Sequence, residues 1–212
     1  MRLFLVRHGQ TVANAERRFQ GHKDFPLSNI GEKQAERVAE RFKKTRIQQI
    51  YSSDLGRAYN TAQTIASYHQ LPVVKEKLFR EYSWGVFDGL TLKEAAIQFP
   101  EIAENNASDW SAVDIPEKEA YLEFLQRAQD ALQLLVDRHM GEKVLVVSHG
   151  RFLNALMTQI LRLVEDHVWA FTFANTSVSV VDFAHGQHPK VRLFNDTSHL
   201  IGLPGIEDYF NR

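Results

Sequence analysis

Cysteine is absent from this chain of 212 residues, which excludes disulfides, thiolate catalysis and cysteine-based zinc or iron–sulfur sites. Long hydrophobic runs are also missing, because the longest ones, residues 3–6 and 144–147, are far short of the roughly 20 apolar residues of a membrane-spanning helix. The chain carries no excess charge, since 25 Lys and Arg residues stand against 26 Asp and Glu residues. We therefore expect no nucleic-acid or membrane partner. With no signal-peptide pattern before the first predicted strand, these absences predict a cytoplasmic protein.

The length suits one well-buried domain over residues 1–212, with an irregular region at about 78–120 that we call the roof. The hydrophobic pattern predicts buried strands at 2–7, 47–52, 73–74 and 143–147. It predicts helices at 30–44, 92–99, 117–140 and 151–163, and one between residues 54 and 72, with Asn29, Asp54 and Thr91 as N-caps.

Residues 177–183 and 191–194 alternate around Gly186 and Pro189, which predicts an antiparallel hairpin. The alternation of strands and helices favours an α/β three-layer sandwich. Its sheet should be mostly parallel, with an antiparallel edge strand and helices on both faces. The tail at 202–212 is predicted to pack weakly or not at all.

Two motifs, at residues 5–9 and 147–150, each place a histidine and a glycine directly after an apolar run. A buried strand that ends there delivers its imidazole to the carboxyl edge of a parallel sheet, where open α/β folds bind ligands. We therefore expect His8 and His149 to meet at one site. Gly9 and Gly150 leave room for a ligand, and Arg7 adds a fixed charge and a planar set of donors suited to phosphate oxygens.

Phosphoryl transfer is the reaction that best fits two imidazoles and fixed cations without cysteine. Two unit charges 4 Å apart near a protein surface interact by about 4 kcal/mol, so a few arginine contacts would stabilise a transferring phosphoryl group. A neutral His8 could attack phosphorus and form a covalent intermediate, while His149 could act as a charged donor to the oxygens. The leaving alkoxide needs a proton, which calls for a carboxylic acid near the pocket mouth.

Several motifs in order make the chain resemble the histidine phosphatase superfamily, the phosphoglycerate mutase-like group, and within it the short bacterial phosphatases of broad specificity. The matching pieces are residues 5–11, Asn14, residues 18–21, 26–28, 51–58, 79–81 and 147–150. The resemblance implies that His8 is the phosphorylated nucleophile and Glu81 the proton donor. It also implies that the phosphate is surrounded by Arg7, Arg57 and His149, with Asn14 as a neutral donor.

We further predict substrate contacts at the pocket edge and in the roof, at Gln20, Gly21, His22, Tyr82 and Trp84. No metal and no cofactor are expected, and His185 and His188 are interpreted as surface residues of the hairpin turn. The expected partner is a small-molecule phosphate ester.

The roof decides between a phosphatase and a mutase, because a mutase must keep water from its phosphohistidine and capture an acid-bearing substrate. No pair of arginines occurs between residues 82 and 116, and Trp84, Trp110 and Tyr121 suggest an aromatic, lightly charged lid. We therefore expect a metal-independent phosphatase of broad or apolar-tolerant specificity. A phosphoglycerate mutase-type transferase and a non-catalytic module that binds phosphorylated ligands remain the alternatives. A serine hydrolase built on Ser148 is set aside, because the first glycine of a nucleophile elbow is missing.

Overall fold

The computed structural model describes residues 1–103, 110, 113–163 and 169–203, so most of the predicted tail lies outside the described residues. In chain order the elements are β1 (Arg2–Arg7), α1 (Val12–Ala15), α2 (Asn29–Phe42), β2 (Gln49–Ser52), α3 (Gly56–Ala66), β3 (Val73–Lys75), α4 (Leu92–Gln98), α5 (Pro100–Ala103), α6 (Tyr121–His139), β4 (Lys143–Ser148), α7 (Gly150–Leu161), β5 (Val178–Asp182) and β6 (Lys190–Asp196). Short 3-10 turns lie at Lys77–Phe79, Gly85–Phe87 and Ser198–Leu200.

The strands of the described residues form one six-stranded sheet in the order β3-β2-β4-β1-β5-β6. The pairs β3–β2, β2–β4 and β4–β1 are parallel. Strand β5 runs antiparallel to both β1 and β6, so the predicted hairpin closes one edge of the sheet. The predicted α/β architecture with a mostly parallel sheet is confirmed, and the strand that runs against the others is β5, second from the edge.

Both faces of the sheet are covered by helices. On β1, Leu3 and Leu5 pack in the cluster that also contains the buried faces of α6 and α7. The alternate residues Phe4 and Val6 pack with α2 and α3 on the opposite face. Strand β1 therefore reads as a continuous apolar run, and complete burial of a side chain such as Leu5 contributes about 1.5–3 kcal/mol to stability.

Predicted helix starts differ from the observed ones by up to four residues, as α2 and α6 show. Asn29 is the first residue of α2, and its N-cap is Ser28, whose Oγ accepts a hydrogen bond from the Gly31 amide at 3.1 Å. Helix α6 cannot begin at Glu117, whose left-handed backbone with φ of 61° a right-handed helix excludes, and it begins at Tyr121 after the extended residue Ala120.

The start of α3 is fixed by a residue distant in sequence. Asp54, the predicted N-cap, instead forms a bidentate ion pair with Arg80, with N···O distances of 2.7 and 2.6 Å. The carboxylate of Asp24 accepts the amides of Gly56 at 2.5 Å and Arg57 at 3.4 Å. Asp24 thereby satisfies donors that would otherwise be unpaired in the first turn, and it anchors the helix that carries Arg57.

Candidate active site

The two central strands bring the two His-Gly motifs together. Strands β1 and β4 pair in parallel with Arg7 opposite Ser148, and the ladder continues as the His8 amide donates to the Ser148 carbonyl at 2.9 Å. His8 and His149 therefore follow their strands at the same edge of the sheet. Their ring centroids lie 5.1 Å apart, with an angle of 60° between the ring planes.

His8 is held as a neutral imidazole with a defined tautomer. Its Nδ1 lies 2.7 Å from the Gly9 carbonyl oxygen, which can only accept, so the ring proton is on Nδ1 and the lone pair is on Nε2. Burial lowers the pKa of His8 well below 6.5, and the positive charges of Arg57 and Arg7 lower it further. An imidazole in this state is a nucleophile at neutral pH.

His149 is neutral as well, in the opposite tautomer. Arg57 Nε donates to His149 Nδ1 at 3.2 Å, so the ring proton is on Nε2. Burial lowers the pKa of His149 well below 6.5, and the charge of Arg57 acts in the same direction. This arrangement differs from the expected charged His149, because Nδ1 accepts the Arg57 proton and so carries none of its own. The ring presents a neutral N–H donor instead.

Arg57 binds the loop around the site. It is 1% exposed, and its Nη2 and Nη1 donate to the carbonyl oxygens of Gly21 at 2.8 Å and Lys23 at 2.9 Å. Burial lowers the pKa of Arg57, an effect opposed mainly by the carboxylates of Glu81 and Asp24. Arg57 thus supplies positive charge to the site, orients His149 and fixes the segment at Gly21.

Two buried donors beside His8 have no acceptor among the described residues. They are Arg7 Nε and His149 Nε2, while Arg7 Nη1 donates to the Phe173 carbonyl at 2.6 Å. Buried donors in folded proteins nearly always have a partner. Their position at the end of two strands, with a second buried arginine nearby, is suited to an anion that accepts from both.

Glu81 lies at the N-terminus of α7. Its carboxylate accepts hydrogen bonds from the amides of Tyr82 at 3.0 Å, Phe152 at 3.1 Å and Arg151 at 3.3 Å. The last two are first-turn amides of a helix whose N-cap residue, His149, makes no side-chain capping bond. Glu81 therefore takes over that capping role and is placed beside both His149 and the pocket.

A cavity of about 480 Å³ opens above these groups, within the usual range for small-molecule sites. Its lining comprises Arg7, Asn14, Arg17, Arg18, Phe19, Gln20, Gly21, Glu81, Trp84, Leu92, Gly150, Arg151, Asn154, Trp169, Phe171, Thr172 and Phe173. His8, Arg57 and His149 are buried behind this lining, next in sequence or hydrogen bonded to its members. The structure thus gathers the predicted phosphate-site residues at one place.

Asn14 presents its amide to the cavity in a fixed orientation. Its Oδ1 accepts from the Thr11 amide at 3.1 Å and from Asn175 Nδ2 at 3.4 Å, so its Nδ2 is directed elsewhere. Gln20 is tied to the same network, since its Oε1 accepts from the Thr11 hydroxyl at 2.8 Å. Both residues therefore have side-chain donors available to a ligand.

Two predicted substrate contacts are not in the lining. Tyr82 is 0% exposed and packs edge-on against Trp84 and Phe124, with centroids 5.0 Å apart in each case. It supports the wall from behind because its whole ring is covered by other aromatic side chains. His22 is likewise outside the lining, and its Nε2 donates to the Glu81 carbonyl at 2.9 Å.

Four residues that line the cavity are arginines, and none of them belongs to the roof segment, so the light charge expected of the roof does not extend to the whole cavity. Trp84 contributes to the wall as predicted, whereas Trp110 packs against the core, 6.0 Å from Phe87. The guanidinium carbon of Arg151 lies 4.5 Å from the ring centroid of Trp84 and 4.1 Å from that of Trp169. These arginines lie on β1, in the segment after α1 and on α7, outside the segment in which the arginine pair was sought.

Sequence reasoning missed the segment before β5. The Thr176 amide donates to the Arg7 carbonyl at 2.9 Å, and Asn175 Nδ2 donates to the His8 carbonyl at 2.9 Å. Both residues are buried. They hold the backbone of the first motif from the β5 side, and no motif in the sequence marks them.

No group of three or more His, Cys, Asp or Glu side chains is placed to hold a metal ion within residues 1–103, 110, 113–163 and 169–203. His185 and His188 are exposed in the turn between β5 and β6. None of the helices in the described part of the chain is long and apolar enough to cross a membrane.

A family model of the histidine phosphatase superfamily (branch 1) matches residues 3–197, and the chain belongs to this superfamily. It is 39% identical to phosphoglycerate mutase-like protein 4 of Arabidopsis thaliana over 204 residues, which cover 93% of this chain and 86% of the relative. The solved structure of Bacillus stearothermophilus YhfR is similar with a TM-score of 0.84 at 33% identity, covering 94% of this chain and 98% of the other. The alpha-ribazole phosphatase of Shigella flexneri gives a TM-score of 0.85 at 25% identity, covering 92% and 96%. The family and these neighbours identify an enzyme that acts on phosphate groups.

Proposed function

We propose that this enzyme hydrolyses small phosphate monoesters through a phosphohistidine on His8, without a metal or a cofactor. The observation that carries the proposal is the neutral Nε2 of His8 beside two buried donors, Arg7 Nε and His149 Nε2, that find no acceptor in the described part of the chain. A phosphate monoester carries roughly −1.5 to −2 charges at neutral pH. Arg7 and Arg57 would compensate that charge, while His149 donates a neutral hydrogen bond.

In the first step, His8 Nε2 attacks phosphorus and the bond from phosphorus to the ester oxygen breaks. Glu81 enters this step as the carboxylic acid, with the proton that a monoanionic phosphate ester brings into the site, and gives it to the departing oxygen, so the alcohol leaves neutral. In the second step, Glu81 takes a proton from a water molecule, which attacks phosphorus and breaks the N–P bond. Inorganic phosphate leaves, and His8 Nε2 regains its lone pair.

The residues that line the cavity also support a proposal about which leaving groups the enzyme accepts. Aromatic side chains such as Phe19, Trp84 and Phe171 offer an apolar surface for varied leaving groups, consistent with a phosphatase of broad specificity. Hydrolysis is the activity in the name of the alpha-ribazole phosphatase neighbour.

A mutase-type phosphoryl transferase is the second candidate, and one observation favours it. Arg17 and Arg151 line the cavity beside the phosphate site, where they would attract a substrate that carries a second acid group. The name of the Arabidopsis thaliana relative agrees with this alternative.

The test is to mix the protein with radiolabelled 4-nitrophenyl phosphate, quench in denaturant within milliseconds, and measure acid-labile phosphate on the chain. The proposal expects up to one label per chain, absent in His8→Asn, and steady-state release of inorganic phosphate in excess EDTA. Labelling without release, together with conversion of 2- to 3-phosphoglycerate, would favour the mutase. Binding without labelling would reveal a non-catalytic phosphate-binding module.

A further inference from the structure

Arg127 on α6 uses its complete set of guanidinium donors. Nε and Nη2 donate to the two carboxylate oxygens of Glu119 at 2.9 and 2.8 Å. Nη1 donates to the carbonyls of Leu78 at 2.8 Å and Arg80 at 2.7 Å, and Nη2 also donates to the Glu81 carbonyl at 3.1 Å. A guanidinium has five N–H groups, and each one has an acceptor here.

Three of these acceptors are backbone carbonyls within residues 78–81, the segment that ends in Glu81. The same Glu81 carbonyl receives His22 Nε2 at 2.9 Å. The Glu81 peptide is thus fixed by two donors from different elements, while its carboxylate is held by the first-turn amides of α7.

The Arg127 side chain has little freedom to move. Its guanidinium lies over the rings of Phe124 and Phe152, at 4.9 and 5.6 Å from their centroids. The side chains of Arg127 and Glu119 are only 16% and 15% exposed. Packing and charge together hold the guanidinium plane in one orientation.

We infer that Arg127 is a positioning residue for the proton transfers of Glu81, an inference that rests on the proposed function. It acts through the backbone of residues 78–81 and touches no reacting atom. A lysine keeps the positive charge but has only three donors on one nitrogen, so it cannot bind Glu119 in the bidentate manner and hold three carbonyls as well. Arg127→Lys should therefore let Glu81 move away from the leaving group while the charge is retained.

The experiment compares kcat/KM of Arg127→Lys for two esters, 4-nitrophenyl phosphate and glycerol 3-phosphate. The nitrophenolate leaves without help, whereas the alkoxide needs a proton from Glu81, a contribution of roughly 100- to 10,000-fold in general acid catalysis. We expect the partial misplacement of Glu81 in Arg127→Lys to lower kcat/KM for glycerol 3-phosphate by roughly 10- to 100-fold. The value for 4-nitrophenyl phosphate should change less than about threefold.

Two further variants make the comparison decisive. Arg80→Lys removes a bidentate arginine pair with Asp54 from the same segment and should keep the wild-type ratio of the two esters. Glu81→Gln should show the same selective loss, and Arg127→Lys in that background should add almost nothing, since two residues that act through one group are not additive.

If Arg127→Lys lowered kcat/KM equally for both esters, or lowered it by its full factor again in the Glu81→Gln background, the inference would be overturned. Arg127 would then have only a structural role. An unchanged Arg127→Lys enzyme would overturn it too. Failure of the wild-type protein to hydrolyse either ester would instead overturn the proposed function.

Discussion

His8 and His149 lie 5.1 Å apart and carry their ring protons on opposite nitrogens. The Gly9 carbonyl fixes the proton of one ring on Nδ1, and the Arg57 guanidinium fixes that of the other on Nε2. One imidazole is thereby prepared to donate an electron pair and the other a hydrogen bond. Neither ring needs to change protonation before a phosphate ester binds.

This relationship predicts two neutral rings of opposite tautomer. Long-range proton–nitrogen NMR of ¹⁵N-labelled protein should show Nδ1–H for His8 and Nε2–H for His149, with both rings neutral from pH 8 to 5.5. The physical reason is the pKa of each ring, which burial lowers well below 6.5. His8→Asn and His149→Asn assign the signals. A doubly protonated His149 at pH 7 would contradict the geometry.

Removal of the guanidinium of Arg57 should impair both activity and stability. Arg57→Lys removes hydrogen-bond donors from His149 and from the carbonyls of Gly21 and Lys23. Each buried group left unpaired should lower the free energy of unfolding by about 1–3 kcal/mol. Loss of a preorganised donor costs kcat about 100- to 1,000-fold. Urea unfolding and steady-state kinetics measure the two effects, with Arg80→Lys as a more exposed arginine-to-lysine control.

A change in Arg57→Lys no larger than in Arg80→Lys would show that the buried guanidinium is dispensable. For Arg80→Lys itself we expect a smaller loss of stability, about 1 kcal/mol, because the pair with Asp54 is partly exposed to solvent and keeps one charge-assisted contact as lysine.

Arg17 should discriminate between substrates by charge. It lines the cavity in a left-handed backbone conformation with φ of 56°, whereas its neighbour Arg18 is paired with Glu16 and Glu94. Arg17→Gln should lower kcat/KM for 3-phosphoglycerate by about two- to fivefold, which is the free energy of an exposed ion pair expressed as a ratio. Hydrolysis of glycerol 3-phosphate, which lacks the carboxylate, should be unaffected.

The matched control for Arg17 is Arg37→Gln, an exposed substitution on α2 outside the cavity. If both variants lowered the rate with 3-phosphoglycerate equally, the effect would come from net charge rather than from the cavity wall.

Stability should fall as the pH is lowered from 6.5 towards 4. Burial and the charge of Arg41 lower the pKa of His199 to about 4, against the opposing effect of Asp196. The unfolded chain takes up this proton near pH 6.5 while the folded chain does not, so the free energy of unfolding decreases across that window by about 1.4 kcal/mol per pH unit for each such histidine. His8 and His149 add losses of the same sign.

Urea unfolding between pH 7.5 and 4.5 measures this slope. The lower limit avoids Asp182, whose pKa Arg2 lowers to about 2, because the stabilisation from that carboxylate is lost only below about pH 3.8. His199→Gln removes the uptake of up to one proton on unfolding, so it should reduce the slope by up to about 1.4 kcal/mol per pH unit. An unchanged slope would show that His199 is not the group responsible.

The parts of the fold and site that depend on strands buried on both faces can be predicted from the sequence. Strands β1 and β4 are continuous apolar runs that end in His-Gly, so their place in the sheet and the meeting of His8 with His149 follow from elementary packing. The tautomers do not follow, because they depend on which acceptor or donor lies beside each ring.

Contacts between distant segments account for the remaining differences. Nothing near Gly56 in the sequence marks Asp24 as the residue that binds the first amides of α3, 32 positions away. Similarly, nothing near Arg151 in the sequence marks Trp84, which is 67 positions away, as a ring that its guanidinium contacts in the cavity wall. Local propensity carries no information on such pairings.

The hydrogen bond from the His8 amide to the Ser148 carbonyl has a consequence for enzyme engineering. Inserting or deleting a single residue in β1 or β4 would invert the alternation of inward side chains and turn one imidazole to the wrong side of the sheet. Mutant libraries aimed at new substrates should therefore leave both strands intact and vary wall positions such as Arg17, Trp84 and Leu92. The chemistry and the selectivity can then be evolved separately.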